Sequence, residues 1–185
     1  MGFYDLPEAQ RLRLIRETIA ERRTFTERWS TLTDAVAAGW AQRARCAAAL
    51  LSDCRSVADI GCGTMQLEPF LRPGTRYLPI DVVARDERTI VVDLNQQTLP
   101  ALDVEGWAAL GLLEHLFDVP SLFRQISGIA VVSYNPVDLP SRSRMLHTWV
   151  NDYCTSALES VFAQEGWAIV ACETLAPERI WKLAR

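Results

Sequence analysis

Apolar residues recur along the chain at two different spacings, and the change between them falls near residue 52. Before that point the spacing is helical. Leu12, Ile15 and Ile19 lie three and four apart among arginines and glutamates, and Pro7 suits a first helical turn. Trp29, Leu32, Val36 and Trp40 define a second face, continued by Ala44 and Ala47. Thr24 or Thr26 can cap this second helix, which is expected to run to about Leu51.

After Cys54 short apolar runs end at glycines, prolines and acids, the pattern of buried strands. Strands are expected over 56–60, 77–81, 89–93, 107–111 and 129–134, with alternating pairs over 167–173 and 179–183. Between them a short helix is expected over 65–71. A helix starting at Asp118, Val119 and Pro120 should run to about Ser127, and another should span about 151–164. The stretch 135–147 reads as a loop.

Strands alternating with helices imply an α/β fold, a doubly wound and mainly parallel seven-stranded sheet carrying two N-terminal helices. The last two strands are joined by too few residues for a parallel crossover and should be antiparallel. Only 8 positions separate Asp81 from Thr89. That is too short for a helical crossover, so a bare loop and a trimmed sheet edge are expected after the second strand. Residues 1–51 read as a helical cover or lid on the same domain, and residues 52–185 as the ligand-binding part.

Composition narrows the classes. The 185 residues are 49% hydrophobic and 23% charged with a net charge of −4, an acidic globular balance that disfavours nucleic-acid partners. Cys46, Cys54, Cys62, Cys154 and Cys172 are odd in number and lack CxxC spacing, and His115 and His147 lie far apart. No metal site or disulfide framework is expected, and a reduced, cytoplasmic setting is. The first residues carry no signal-peptide pattern, and no run approaches the ~20 apolar residues of a membrane span.

The densest chemistry lies at Val57, Ala58, Asp59, Ile60, Gly61, Cys62, Gly63 and Thr64. A strand ends there, and glycines allow backbone N–H groups to approach a ligand closely. Asp81, 20 residues beyond Gly61, ends the next strand, where an acid can accept hydrogen bonds from ribose hydroxyls. Asp93 ends the third strand and could read an adenine amino group.

With the runs from Tyr77 to Asp81, from Val92 to Asn95, and from Ala109 to His115, and with Glu165, Gly166 and Trp167, residues 57–181 resemble the class I S-adenosylmethionine-dependent methyltransferases. Val131 to Asn135 and the compact size are similar to MetW-like members and to small methyltransferases of natural-product or polysaccharide pathways. The resemblance implies S-adenosylmethionine as cofactor and a small-molecule acceptor, with oxygen as the favoured atom. Asp59, Gly61, Cys62 and Gly63 would hold the methionine portion, Asp81 the ribose, and Asp93 with Leu94 the adenine. Gly111 and the start of the Leu112–Glu114 stretch would border the sulfonium and the acceptor. His115, His147 and Glu114 are the candidate bases. Tyr134, Trp149 and Tyr153 are candidate acceptor-pocket walls, and Arg142 and Arg144 candidate anion contacts, whereas Trp29 and Trp40 read as core. Met65 stands where the family commonly has another glycine.

Three rivals remain: a partner or regulatory protein of the same fold without turnover, a nicotinamide-dependent oxidoreductase, and a nucleic-acid methyltransferase. A homodimer or an association with a partner enzyme is compatible with the first.

Overall fold

The computed structural model describes residues 3–33, 38–139 and 147–185. Seven strands form one sheet: β1 (Ser56–Ile60), β2 (Arg76–Asp81), β3 (Ile90–Val91), β4 (Gly106–Leu110), β5 (Ile129–Tyr134), β6 (Ala168–Leu175) and β7 (Glu178–Ala184). Their order is β3-β2-β1-β4-β5-β7-β6, with β1 to β5 parallel and β7 antiparallel to both its neighbours. The α-helices are α1 (Glu8–Ala20), α2 (Thr26–Ser30), α3 (Ala41–Leu50), α4 (Val119–Gln125) and α5 (Thr155–Gln164). No helix among the described residues is long and apolar enough to cross a membrane.

The central strands are buried on both faces, which is why they read as continuous apolar runs. Successive side chains point to opposite faces and sort into two clusters. Val57, Ala108, Val131 and Ile180 pack against Ala47, Ala48 and Leu51 on the α3 side. Ala58, Ile60, Trp107, Ala130, Val132 and Trp181 pack against Leu122, Phe123, Leu158 and Phe162 of α4 and α5. Phe3, Ile15 and Phe25 make a separate small cluster at the N-terminus.

The parallel core, the antiparallel final pair and the missing helix between β2 and β3 all agree with the pattern in the sequence. Asp118 caps α4 by accepting from the Ser121 N–H at 3.0 Å.

Four elements differ from expectation. The expected second helix is broken: α2 ends at Ser30, and a 3₁₀ turn (Ala38–Trp40) precedes α3. The Thr31 hydroxyl donates to the Glu27 and Arg28 carbonyls, closing off the last turn of α2. Val36, assigned to that helix face, lies outside the described residues.

The short helix expected at 65–71 is only a 3₁₀ turn, Glu68–Phe70. Gly61, Gly63 and Met65 all have positive φ (72°, 54° and 56°), so this stretch cannot start an α-helix. β3 is two residues long because a turn begins at Asp93, whose carbonyl accepts from the Gln96 and Gln97 N–H groups. Finally, α5 starts at Thr155, where Asp138 accepts from both its N–H and its hydroxyl. The Asn151 amide instead bridges the carbonyls of Leu113 and Leu116.

Candidate active site

The carboxyl ends of β1, β2 and β4 open into a cavity of about 520 Å³. Its floor begins at the glycine turn after β1. The N–H groups of Gly61 and Cys62 both donate to the Ile80 carbonyl, at 2.8 and 3.0 Å, pinning the turn to β2. A Cβ at Gly61 would approach Leu112 Cδ1 to 3.1 Å in a backbone conformation that already favours glycine.

Asp81 is buried at the end of β2. Its Oδ2 accepts from the Gly63 N–H at 2.8 Å, and its Oδ1 accepts from the Val83 N–H at 3.0 Å and from Arg85 at 3.2 Å. Arg85 also donates to the Trp29 carbonyl at 2.9 Å, so the loop that replaces the usual crossover helix ties Asp81 to α2. Asp59, 3% exposed, accepts from the Tyr77 hydroxyl at 2.7 Å. Burial, opposed by that hydrogen bond, pushes its carboxyl up to about 7. Asp93 accepts from the Thr24 hydroxyl at 2.6 Å and from the Asn95 N–H at 3.0 Å, and Leu94 lines the cavity beside it.

At the far end Gly111 closes β4 with φ of 65°. Its N–H donates to the Ser133 hydroxyl at 2.8 Å, which donates to Glu178 at 2.6 Å, and Glu178 pairs with Arg43 at 2.9 Å. Arg43 lies directly over Gly111, where a Cβ would sit 2.5 Å from its Nη1. Beside this network Glu114, 1% exposed, accepts from the Asn135 N–H and side-chain amide through Oε1, at 3.0 and 2.9 Å. Its Oε2 is buried with no partner among the described residues. Burial, reinforced by Glu178, raises the Glu114 pKa.

His115 also borders the cavity. Its Nδ1 lies 3.2 Å from the Thr148 carbonyl. A carbonyl only accepts, so Nδ1 carries the hydrogen and Nε2 keeps the lone pair. Burial and the Arg28 guanidinium hold the ring neutral, with its pKa lowered to about 3.

The expected cofactor-binding and base candidates line this cavity: Asp59, Gly61, Cys62, Gly63, Asp81, Asp93, Leu94, Gly111, Glu114, His115 and His147, with Trp149 beside them. Tyr134 and Tyr153 are not among its lining residues. Tyr134 is fully buried and donates to Asn151, and the Tyr153 ring packs against it. Arg142 and Arg144 lie outside the described residues.

The second wall was not expected. Trp29 and Trp40 line the cavity rather than the core, together with Thr24, Arg28, Leu32 and Arg43. Trp29 meets the His115 ring edge-to-face at 4.9 Å, and buried Arg28 donates to the His147 carbonyl and the Thr148 hydroxyl. Thr64 and Gln66 join the floor. Only the Gly61–Gly63 neighbourhood could have pointed to these last two, and no local pattern marks Arg28 or Arg43.

No family model matches the sequence, and no curated protein does either. Solved structures do match, and they define the fold as that of the class I methyltransferases. The mitomycin 7-O-methyltransferase aligns with TM-score 0.68 at 16% identity, covering 92% of this chain and 60% of that one. An O-methyltransferase from neocarzinostatin biosynthesis, solved with S-adenosylhomocysteine and 1,4-dihydroxy-2-naphthoic acid, aligns with TM-score 0.63 at 16% identity over 90% of this chain and 63% of that one. The 1,6-didemethyltoxoflavin-N1-methyltransferase of Burkholderia thailandensis aligns at 0.66 and 16% over 83% of both chains. The chain thus spans about three fifths of the length of the first two.

Proposed function

We propose that the protein transfers a methyl group from S-adenosylmethionine to a small-molecule acceptor, with oxygen as the favoured atom. The observation that carries this reading is the acidic lining of the cavity at the strand ends. Asp59, Asp81, Asp93, Glu114 and Glu178 line it against two arginines, Arg28 and Arg43. Such a surface suits a cationic ligand and opposes a pyrophosphate. No α-helix follows the glycine turn, so a dinucleotide's phosphates would find no helix N-terminus there. The printed activities of the structural neighbours point the same way.

S-adenosylmethionine supplies an electrophilic methyl carbon when bound. In this reading Asp59 and the turn Gly61, Cys62 and Gly63 hold its amino-acid end, Asp81 the ribose, and Asp93 with Leu94 the adenine. Gly111 leaves room for the reacting end. Glu114, on the cavity wall, takes the acceptor's proton: burial raises its basicity, whereas His115, at about 3, is a weak base. Trp29, Trp40, Trp149 and the N-terminal segment cover the acceptor and exclude water, so residues 1–51 act as a cover on one domain. Five free cysteines accord with a cytoplasmic setting.

One observation favours the second reading, a partner protein without turnover, alone or as a second copy. Asp81 already receives Gly63, Val83 and Arg85, which a ribose would have to join or displace. Calorimetric titration with S-adenosylhomocysteine, beside NAD, separates the two. Micromolar-range binding of the former alone supports the enzyme. No binding by the folded protein removes it and leaves the partner reading.

A further inference from the structure

Tyr77 sits on β2, level with Val57 of β1, and its ring packs on the α3 side of the sheet. Its hydroxyl donates to Asp59 Oδ2 at 2.7 Å. No other hydrogen bond reaches that carboxyl among the described residues, while Asp59 itself lines the cavity. One oxygen is thus tied back to the sheet.

A buried carboxyl is costly to ionise, and its neighbours divide over it. Asp81 of β2 and Glu68 of the 3₁₀ turn oppose its charge, and Arg43 of α3 favours it. The Cys62 thiol lies in the turn above, pushed up by burial and by Asp59 itself. The Tyr77 hydroxyl, pushed far above its ordinary value by burial and by Asp59, stays a donor throughout the working pH range.

We propose that Tyr77 is a positioning residue: its hydroxyl aims Asp59 at the ammonium group on the amino-acid end of the cofactor and makes that contact depend on pH. This rests on the methyltransferase reading above. A cation beside Asp59 favours its ionised form, so binding below about pH 7 must release a proton. Affinity for S-adenosylhomocysteine therefore falls as pH drops through that value. The Tyr77 hydroxyl supports the ionised form, so removing it moves the fall to higher pH.

The test is titration of the full chain from pH 5.5 to 9 with S-adenosylhomocysteine and with 5′-methylthioadenosine, which lacks the amino-acid end. Tyr77→Phe should lose about tenfold in affinity for the first near pH 7, with the fall displaced upward. Its affinity for the second should not change. Asp59→Asn, which preserves size and can still accept from Tyr77, should flatten the pH profile. An unchanged profile in Tyr77→Phe overturns the proposal. So does an equal loss for both ligands, which marks a purely structural role. If the wild-type protein binds neither ligand, the methyltransferase reading fails and the proposal falls with it.

Discussion

The floor and the roof of the cavity are built by different means. The floor is made at strand ends, where short turns place the Gly61–Gly63 backbone, Asp81 and Gly111 within a few residues of β1, β2 and β4. The roof comes from Thr24, Arg28, Trp29, Leu32, Trp40 and Arg43 and is held by contacts between distant parts of the chain. Thr24 reaches Asp93 across 69 positions, Arg28 reaches Thr148 across 120, and Arg43 reaches Glu178 across 135. The floor is therefore set by local geometry and buried sheet. The roof hangs on a few polar bonds and two tryptophan faces. A cavity divided this way can keep one part of a ligand fixed while the covering wall varies.

Substitutions that act on one surface alone sharpen this contrast. The largest effect is expected at Glu114. Glu114→Gln should lower the transfer rate about 10²–10⁴-fold in a single-turnover assay and leave S-adenosylhomocysteine affinity unchanged. An equal loss in both would make Glu114 a structural part of the floor. Next is Asp81→Ala, expected to weaken S-adenosylhomocysteine about 100-fold by calorimetry, because it removes both the proposed ribose acceptor and the partner of the Gly63 N–H.

The roof should respond in stability. Arg28→Met removes a charged donor from the His147 carbonyl and the Thr148 hydroxyl, leaving them the hydrogen bond between themselves, and should cost about 1–2 kcal/mol in urea unfolding. It should also raise the His115 pKa, since the guanidinium helps hold that ring neutral. In the wild-type protein His115 titrates near 3, below the ordinary 6.5. The unfolded chain therefore binds its proton first, and the stability that His115 contributes is full above about pH 6.5 and is lost as pH falls toward 3. Proton NMR of the imidazole at pH 5 should find it neutral.

The smallest effect is expected at Met65→Gly. Relief of the positive φ is offset by a freer unfolded chain, so unfolding should shift by under about 1 kcal/mol toward stability.

The same contrast explains what the sequence reveals. β5 and the capped start of α4 follow from local signals: an apolar run in one case, Asp118 placed before Val119 and Pro120 in the other. The missing crossover follows from chain length alone. The glycine turn and the acids at strand ends are legible because their chemistry is local. What escapes is set by tertiary partners. Met65 gives no hint of its positive φ, and Thr31 closes α2 although the apolar spacing runs on to Trp40. Trp29 and Trp40 look like core because a helical face cannot say whether it will meet a sheet or a cavity. Arg28 and Arg43 are unremarkable in sequence because their partners lie more than a hundred residues away.

The most direct test is a crystal structure of the protein with S-adenosylhomocysteine. The expected result places the adenine between Asp93 and Leu94, the ribose hydroxyls on Asp81, the amino-acid end at Asp59, and the sulfur facing Gly111 beneath Trp29 and Glu114. A ligand bound outside the cavity, or bound within it with the adenine at Gly111, would contradict the account.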